Sequence, residues 1–402
     1  MNPLSNNLNR LFSVACLASW SGMLTAEPTL TDTLPASLKV YIGGQDKVVN
    51  VFIYDTTKNT FTPKTSSDAL GANTTWFQVD KTNQFIISAS SGHPPDQAGI
   101  FAASVSADGT LKRTTSIPLN GNPHVSAAFD RDDTTVTITT GNVNAESDLN
   151  SYKLILDGTK KPEPEATVRL QAFPAPTDPK VFAYASQVKR NPSGNIYLIP
   201  FSNLDSIGSQ TIAPFTSAQN SDIVVKSGCG PQSLTFPPGD VSTETNMIFY
   251  LLCQRSKEIL LIEVPNPTGF PLAPILHNSI STLASGAKAE DFDATETLIT
   301  PDGKFLYTIS VPKVSNGKQE NMFTVFGRDA ATGNLVQTGT FKTGGKGSRN
   351  FRFSPDKAAS LIIVSNTDSN LVCVHKRDPQ TGALTQVGST KLNSPGFPLF
   401  VA

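Results

Sequence analysis

Charge is scarce in this sequence. Of 402 residues only 16% are Asp, Glu, Lys or Arg, and 32 basic against 33 acidic side chains leave a formal charge of −1. A balance so near zero provides no electrostatic footprint for nucleic acid, and no Lys/Arg run is present to seek an anionic membrane surface. Neither partner is expected. Helical patterning is missing too, since no apolar stripe of helical period runs for a convincing length. The spaced motifs of familiar chemistry are also absent. There is no Gly-x-Ser-x-Gly elbow and no His-x-x-x-His or Cys-x-x-Cys pair, so no metal or other cofactor is expected. Thr343-Gly-Gly-Lys-Gly-Ser is no P-loop, because Gly follows Lys346 and no helix pattern comes after. The acidic run Glu290-Asp291-Phe-Asp293 could bind a cation, but it lacks calcium-loop spacing and reads first as a solvated loop, and Asp130-Arg-Asp-Asp reads as a strand turn.

Long hydrophobic runs are almost lacking. The one candidate, Leu11 to Ala26, follows Arg10 and gives way to polar sequence, as the apolar core of a secretory signal does. Cleavage is expected after Ala26. The alternative is a membrane anchor, against which stand its Ser and Cys and a length short of the ~20 residues needed to span. The chain therefore divides into a signal (1–26), an N-terminal arm (27–37) and one large domain (38–402), and the product is expected outside the cell. Cysteine is sparse as well. Cys16 leaves with the signal, and Cys229, Cys253 and Cys373 remain. If the strand-like runs Ser233 to Phe236 and Met247 to Cys253 pair as a hairpin, Cys229 and Cys253 meet at its open end. A disulfide there would be worth about 3 kcal/mol on the chain-entropy model. Two buried free thiols are the alternative. One glycosylation sequon, Asn73-Thr74-Thr75, is usable if Asn73 is exposed.

What the sequence has in quantity is punctuation: 29 Pro and 28 Gly divide it into short segments. From Gly347 to Gly388 a strand-like run (Asn350 to Phe353) leads through Ser-Pro-Asp to an apolar run (Leu361 to Ser365). An Asn-Thr-Asp-Ser turn, an alternating run (Asn370 to Lys376) and Asp378-Pro-Gln-Thr-Gly-Ala-Leu follow. These are strand lengths separated by turn residues. The preceding copy ends in Asp329-Ala-Ala-Thr-Gly-Asn-Leu, and its Asp lies 49 residues before Asp378. A four-strand module repeating at about 50 residues predicts an all-β propeller. Six complete units can be traced. Three orphan strands precede them, and one, Phe397 to Ala402, follows. Joining the orphans makes a seventh blade and closes the ring, which removes open sheet edges. A β-sandwich is the rival, but the period and the length exceed one.

The strings Glu296-Thr-Leu-Ile-Thr-Pro-Asp-Gly-Lys-Phe-Leu-Tyr, Arg349-Asn-Phe-Arg-Phe-Ser-Pro-Asp and the two Asp-x-x-Thr-Gly-x-Leu turns resemble the seven-bladed lactonase family. That family includes bacterial-type 6-phosphogluconolactonases and fungal carboxy-cis,cis-muconate cyclases. The resemblance is strong over 285–402 and in phase from 38 onwards. It implies a site at one mouth of the central channel, where the inner strands of all blades begin. Proton transfer and cations for a carboxylate and a developing oxyanion are needed there. It assigns proton transfer to His124 or Glu296, and ligand binding to Arg349, Gln232, Tyr184 and Trp76. Arg255 is a second candidate cation, and Glu296 could instead simply pair with Arg349. The sequence also departs from the family. Gln232 and Ser233 stand where Arg-His is usual, Phe182-Ala-Tyr-Ala-Ser replaces a His-rich string, and Cys253-Gln254 replaces Asn-Glu.

Two functions follow. One is a secreted enzyme that hydrolyses or isomerises a small carboxylated lactone. The other is a non-catalytic extracellular binding propeller, with an anionic small molecule or a protein as partner. Fold alone does not choose between them.

Overall fold

The computed structural model describes residues 30–402, except 45–46, 81, 93–97, 120–125, 130–134, 141–147, 154–162, 170–184, 212–220, 240–245, 268–271 and 314–319. It contains seven four-stranded antiparallel sheets. The first blade joins β1 (Ser37–Gly44), β2 (Val49–Asp55) and β3 (Thr60–Ser67) to the last strand of the chain, β28 (Pro395–Val401). Blade 2 is β4 (Thr74–Val79), β5 (Phe85–Ser90), β6 (Gly99–Val105) and β7 (Leu111–Pro118). Blade 3 is β8 (Ser126–Phe129), β9 (Thr135–Thr140), β10 (Asp148–Lys153) and β11 (Glu163–Arg169). Blade 4 is β12 (Lys189–Arg190), β13 (Ile196–Phe201), β14 (Ser206–Thr211) and β15 (Ser221–Val224). Blade 5 is β16 (Pro231–Thr235), β17 (Asn246–Cys253), β18 (Glu258–Pro265) and β19 (Ile275–Ser281). Blade 6 is β20 (Phe292–Ile299), β21 (Phe305–Pro312), β22 (Met322–Arg328) and β23 (Leu335–Lys342). Blade 7 is β24 (Ser348–Phe353), β25 (Leu361–Asn366), β26 (Leu371–Arg377) and β27 (Leu384–Lys391).

β28 pairs antiparallel with β1 from Lys39 opposite Val401 to Gly44 opposite Pro395. The C-terminal strand thus supplies the inner strand of the N-terminal blade. Neighbouring blades touch in chain order along their inner strands, β28 to β4 to β8 to β12, and β16 to β20 to β24 and back to β28, with β13 bridging to β16. The N-terminal arm adds a second tie. Thr31 exchanges backbone hydrogen bonds with Pro355 and Lys357 of blade 7, at 2.8 and 2.9 Å, and the Lys357 ammonium pairs with Asp32.

Period-two geometry explains the continuous apolar runs. Successive side chains of a strand point to opposite faces, and here both faces meet another blade. Leu361 and Ile363 of β25 pack against Leu38, Val40 and Phe52 of blade 1. Ile362 and Val364, between them in sequence, pack against Tyr307, Ile309 and Phe323 of blade 6. Each such fully buried side chain contributes roughly 1.5–3 kcal/mol of transfer free energy. The outermost strands have no neighbour on one side, and β3, β19 and β23 are correspondingly exposed.

The repeated turn also has a physical cause. The Asp378 carboxylate accepts the Gln380 and Thr381 N–H groups, and Asp329 does the same for Ala331 and Thr332. These N–H groups hold both carboxyls below the usual range. The glycine that follows takes a positive φ, 73° at Gly333 and 74° at Gly382, which a side chain would disfavour. A buried tyrosine of the preceding blade donates to that glycine's carbonyl: Tyr250 to Gly333 at 2.6 Å and Tyr307 to Gly382 at 2.7 Å. Tyr41 makes the corresponding bond to Gly109 at 3.0 Å. The turn motif is therefore a blade-to-blade connector.

Candidate active site at the inner-strand bulges

Five of the inner strands share an irregularity near their starts. On β4, Thr74 opposes Ser90 while Trp76 opposes Ala89, so Thr75 is an extra residue. On β16, Pro231 opposes Cys253 and Ser233 opposes Leu252, which makes Gln232 the extra one. On β20 the surplus falls within Thr295–Glu296, between the pairs Ala294/Ser310 and Thr297/Thr308. On β24 it falls within Arg349–Asn350, between Ser348/Asn366 and Phe351/Val364. On β28 it is within Gly396–Phe397. A β-bulge re-aims side chains and is over-represented beside active sites. Gln232, Glu296 and Arg349 all lie in bulges, and Trp76 directly follows one.

Arg349 is exposed, and no ion pair engages its guanidinium among the described residues. Glu296 is different. Its Oε1 accepts from Arg352 Nη1 at 2.6 Å and its Oε2 accepts the Phe351 backbone N–H at 2.8 Å. The two charged side chains are only 12% and 20% exposed. The expected pairing of Glu296 with Arg349 is therefore corrected. Arg352, three residues on, takes the carboxylate because Arg349 sits in the bulge. The Arg352 guanidinium also lies 3.9 Å over the Phe397 ring, and Phe397 makes an edge contact with Phe77. One chain of contacts thus crosses β20, β24, β28 and β4. Arg352 was missed in the sequence because nothing in Arg349-Asn-Phe-Arg marks which arginine turns inward.

Other candidates take specific places. Gln232 is half-buried, and its backbone carbonyl accepts from Ser186 Oγ at 2.7 Å. Trp76 is half-buried against the apolar contact between blades 1 and 2. Arg255 is committed to Asp205 at 2.6 Å. Burial would push the Asp205 carboxyl up, but the Gly230 and Gly228 N–H groups and Arg255 hold it below the usual range. Arg255 is therefore not a free cation at the mouth. Asp293 of the acidic run lies 3.6 Å from Lys257 and 3.9 Å from Lys313. Among the described residues no cluster of His, Cys, Asp and Glu could hold a metal ion. Cys229 and Cys253 form a disulfide at the start of β16, and Cys373 is a buried thiol that desolvation pushes up to about 11. Asn73, half-buried, has a left-handed backbone with φ 52°. His124 and Tyr184 lie outside the described residues.

Comparison with known proteins places this geometry. The family described as lactonase, 7-bladed beta-propeller matches residues 39–400. A 6-phosphogluconolactonase of Formosa agariphila is 30% identical over 104 residues, 26% of this chain and 28% of that protein. A 6-phosphogluconolactonase of Bacillus subtilis is 24% identical over 163 residues, 40% of this chain and 41% of that one. The chain thus matches under half the length of either relative. The structure of the periplasmic gluconolactonase PpgL of Pseudomonas aeruginosa superposes with a TM-score of 0.75 at 18% identity, covering 91% of this chain and 99% of that one. A Lactobacillus plantarum protein superposes with a TM-score of 0.72 at 18% identity, over 91% and 100%. At such identities the superpositions speak to fold. With blades closed by the terminal strand and a family match spanning nearly the whole domain, the chain belongs to the seven-bladed β-propeller lactonase family.

Proposed function

We propose that this protein is an extracytoplasmic lactonase that opens a small lactone bearing a carboxylate or similar anion at the channel mouth. The observation that carries the reading is Arg349, an exposed cation without an ion-pair partner among the described residues, presented from an inner-strand bulge. A cation so placed attracts and orients an anionic substrate. In hydrolysis, water adds to the lactone carbonyl, the ring C–O bond breaks, and a hydroxy acid results, whose carboxyl then releases its proton to solvent. A base must take the proton from water and return it to the leaving alkoxide. Both oxygens of Glu296 are engaged, so this role falls to His124, assigned on its sequence position alone.

Two observations support location outside the cytoplasm. The sequence opens with a signal-like segment, and the Cys229–Cys253 disulfide suits an oxidising compartment. No helix among the described residues is long and apolar enough to cross a membrane. The ion pair that occupies Glu296 also favours a second reading, a binding propeller that holds an anion without turning it over. An assay separates the two. Purified protein is offered neutral and carboxylated five- and six-membered lactones, with acid release followed beside Arg349→Ala. The proposal expects turnover above the buffer rate and, in the variant, a KM raised roughly tenfold for anionic lactones only, as loss of one exposed charge contact would give. Buffer-level rates for both proteins would remove the enzymatic reading.

A further inference from the structure

Glu296 belongs to a series. The Oε1 of Gln187 in blade 4 accepts the N–H of Leu234 in blade 5, at 2.8 Å. Ser233 Oγ in blade 5 accepts the N–H of Thr297 in blade 6, at 3.2 Å. Glu296 in blade 6 accepts the N–H of Phe351 in blade 7, at 2.8 Å. Each is a side chain in or just before an inner strand that reaches forward to a backbone N–H beyond the bulge of the next blade. Gln187 itself lies in the interval from the bridge Ala185/Phe201 to the pair Lys189/Leu198, where blade 4 carries its own extra residue. An innermost strand has a ladder on one side only, so its alternate N–H groups find no strand partner on the other, and a buried N–H without a partner is costly. The staple supplies that partner. Two of the three residues that do so, Gln187 and Ser233, carry no charge, so the position does not require an acid.

The upstream end of the Arg349–Asn350 bulge is held just as firmly. Ser348 Oγ donates to Asn366 Oδ1 at 2.5 Å and lies 2.8 Å from Thr343 Oγ1. With the Asn321 amide oriented to satisfy both its ends, its oxygen accepts the Gly347 and Ser348 N–H groups at 2.7 and 2.6 Å. Asn321, Thr343, Ser348 and Asn366 are at most 2% exposed. Such a satisfied buried network permits little local movement. At the downstream end Glu296 takes the Phe351 N–H, and Arg352 locks Glu296 in turn.

From this we infer that Glu296 is a positioning residue, which with the Ser348–Asn366–Asn321 network clamps both ends of the bulge and so fixes the aim of Arg349 toward an anionic ligand. The role of Arg349 rests on the lactonase reading above; the clamp itself does not. Glutamine keeps an acceptor for the Phe351 N–H, whereas alanine removes it. The test compares Glu296→Gln and Glu296→Ala with the unmodified protein, by hydrogen exchange of peptides covering 347–352 and by kinetics on carboxylated and neutral lactones. The clamp expects exchange in those peptides to speed at least tenfold in Glu296→Ala and much less in Glu296→Gln. It also expects KM for carboxylated lactones to rise about tenfold in Glu296→Ala, with recovery toward the unmodified value in Glu296→Gln. A proton carrier behaves otherwise. It would lose about 10²–10⁴ in kcat in both variants together with one limb of the pH profile, and that outcome overturns the inference. If no lactone is turned over, exchange decides alone, and unchanged protection in Glu296→Ala refutes the clamp.

Discussion

Replacing Tyr250 with phenylalanine tests whether the turn motif ties blade to blade. The side chain is fully buried on β17. Its hydroxyl donates to Gly333 O in blade 6 at 2.6 Å and accepts from Arg328 Nε at 2.8 Å. Burial raises its pKa, against the opposing charge of Arg328, so it acts as a neutral phenol. Tyr250→Phe keeps the ring and opens no large cavity, which isolates the two hydrogen bonds. A buried group left unpaired costs about 1–3 kcal/mol, and bonds to charged groups stand at the upper end. Gly333 O is buried and recovers nothing. Arg328 is half-buried and regains some water, which reduces its share. The net expectation is about 2–3 kcal/mol, read as a lower urea midpoint at unchanged slope by far-UV circular dichroism. Tyr41→Phe is the internal control, because Tyr41 makes one bond, to Gly109 at 3.0 Å. It should cost about 1–2 kcal/mol. A loss below about 0.5 kcal/mol for Tyr250→Phe, or a larger loss for Tyr41→Phe, would refute the connector.

The remaining expectations concern the disulfide and a buried imidazole. The Cys229–Cys253 bond spans a sequence separation of 24; its removal in a Cys229→Ser, Cys253→Ser double variant should cost about 3 kcal/mol by urea unfolding, and an unchanged midpoint would show that the unfolded chain already keeps this loop compact. His375 is buried, its Nε2–H donates to Thr343 O at 3.1 Å, and desolvation holds its pKa below the ordinary 6.5. The folded state therefore resists a proton that the unfolded chain accepts, so this contribution is complete above pH 6.5 and declines as pH falls below it. His375→Gln should flatten that part of the stability-versus-pH curve, and an unaltered slope would assign the loss to other groups.

Much of the scaffold was legible locally. The run Leu361 to Ser365 became β25, Leu361–Asn366, and the expected run Met247 to Cys253 became β17, Asn246–Cys253. The Asp378 and Asp329 turns were readable because each is closed by its own side chain within three residues. Pairing of the last strand with the first could be inferred by counting modules, since an orphan strand must find an edge. The N-terminal arm was marked off only as a segment, and its docking on Pro355 and Lys357 was invisible because its partners lie more than 320 residues away.

The candidate site divides in the same way. Sequence alone determined the repeat and the turn chemistry, because these depend on short-range patterns of side-chain size, charge and backbone freedom, while the shortlist containing Gln232, Glu296 and Arg349 came with the family resemblance. It could not choose between Arg349 and Arg352 as the partner of Glu296, 53 and 56 positions away. Tertiary structure made that choice. One extra residue in β24 shifts the strand's phase, and a one-residue shift exchanges the face on which every later side chain stands. It turns Arg352 onto Glu296 and Phe397 and leaves Arg349 exposed. A bulge is set by how two strands from one blade meet under the pressure of their neighbours, and no single strand's sequence carries that information.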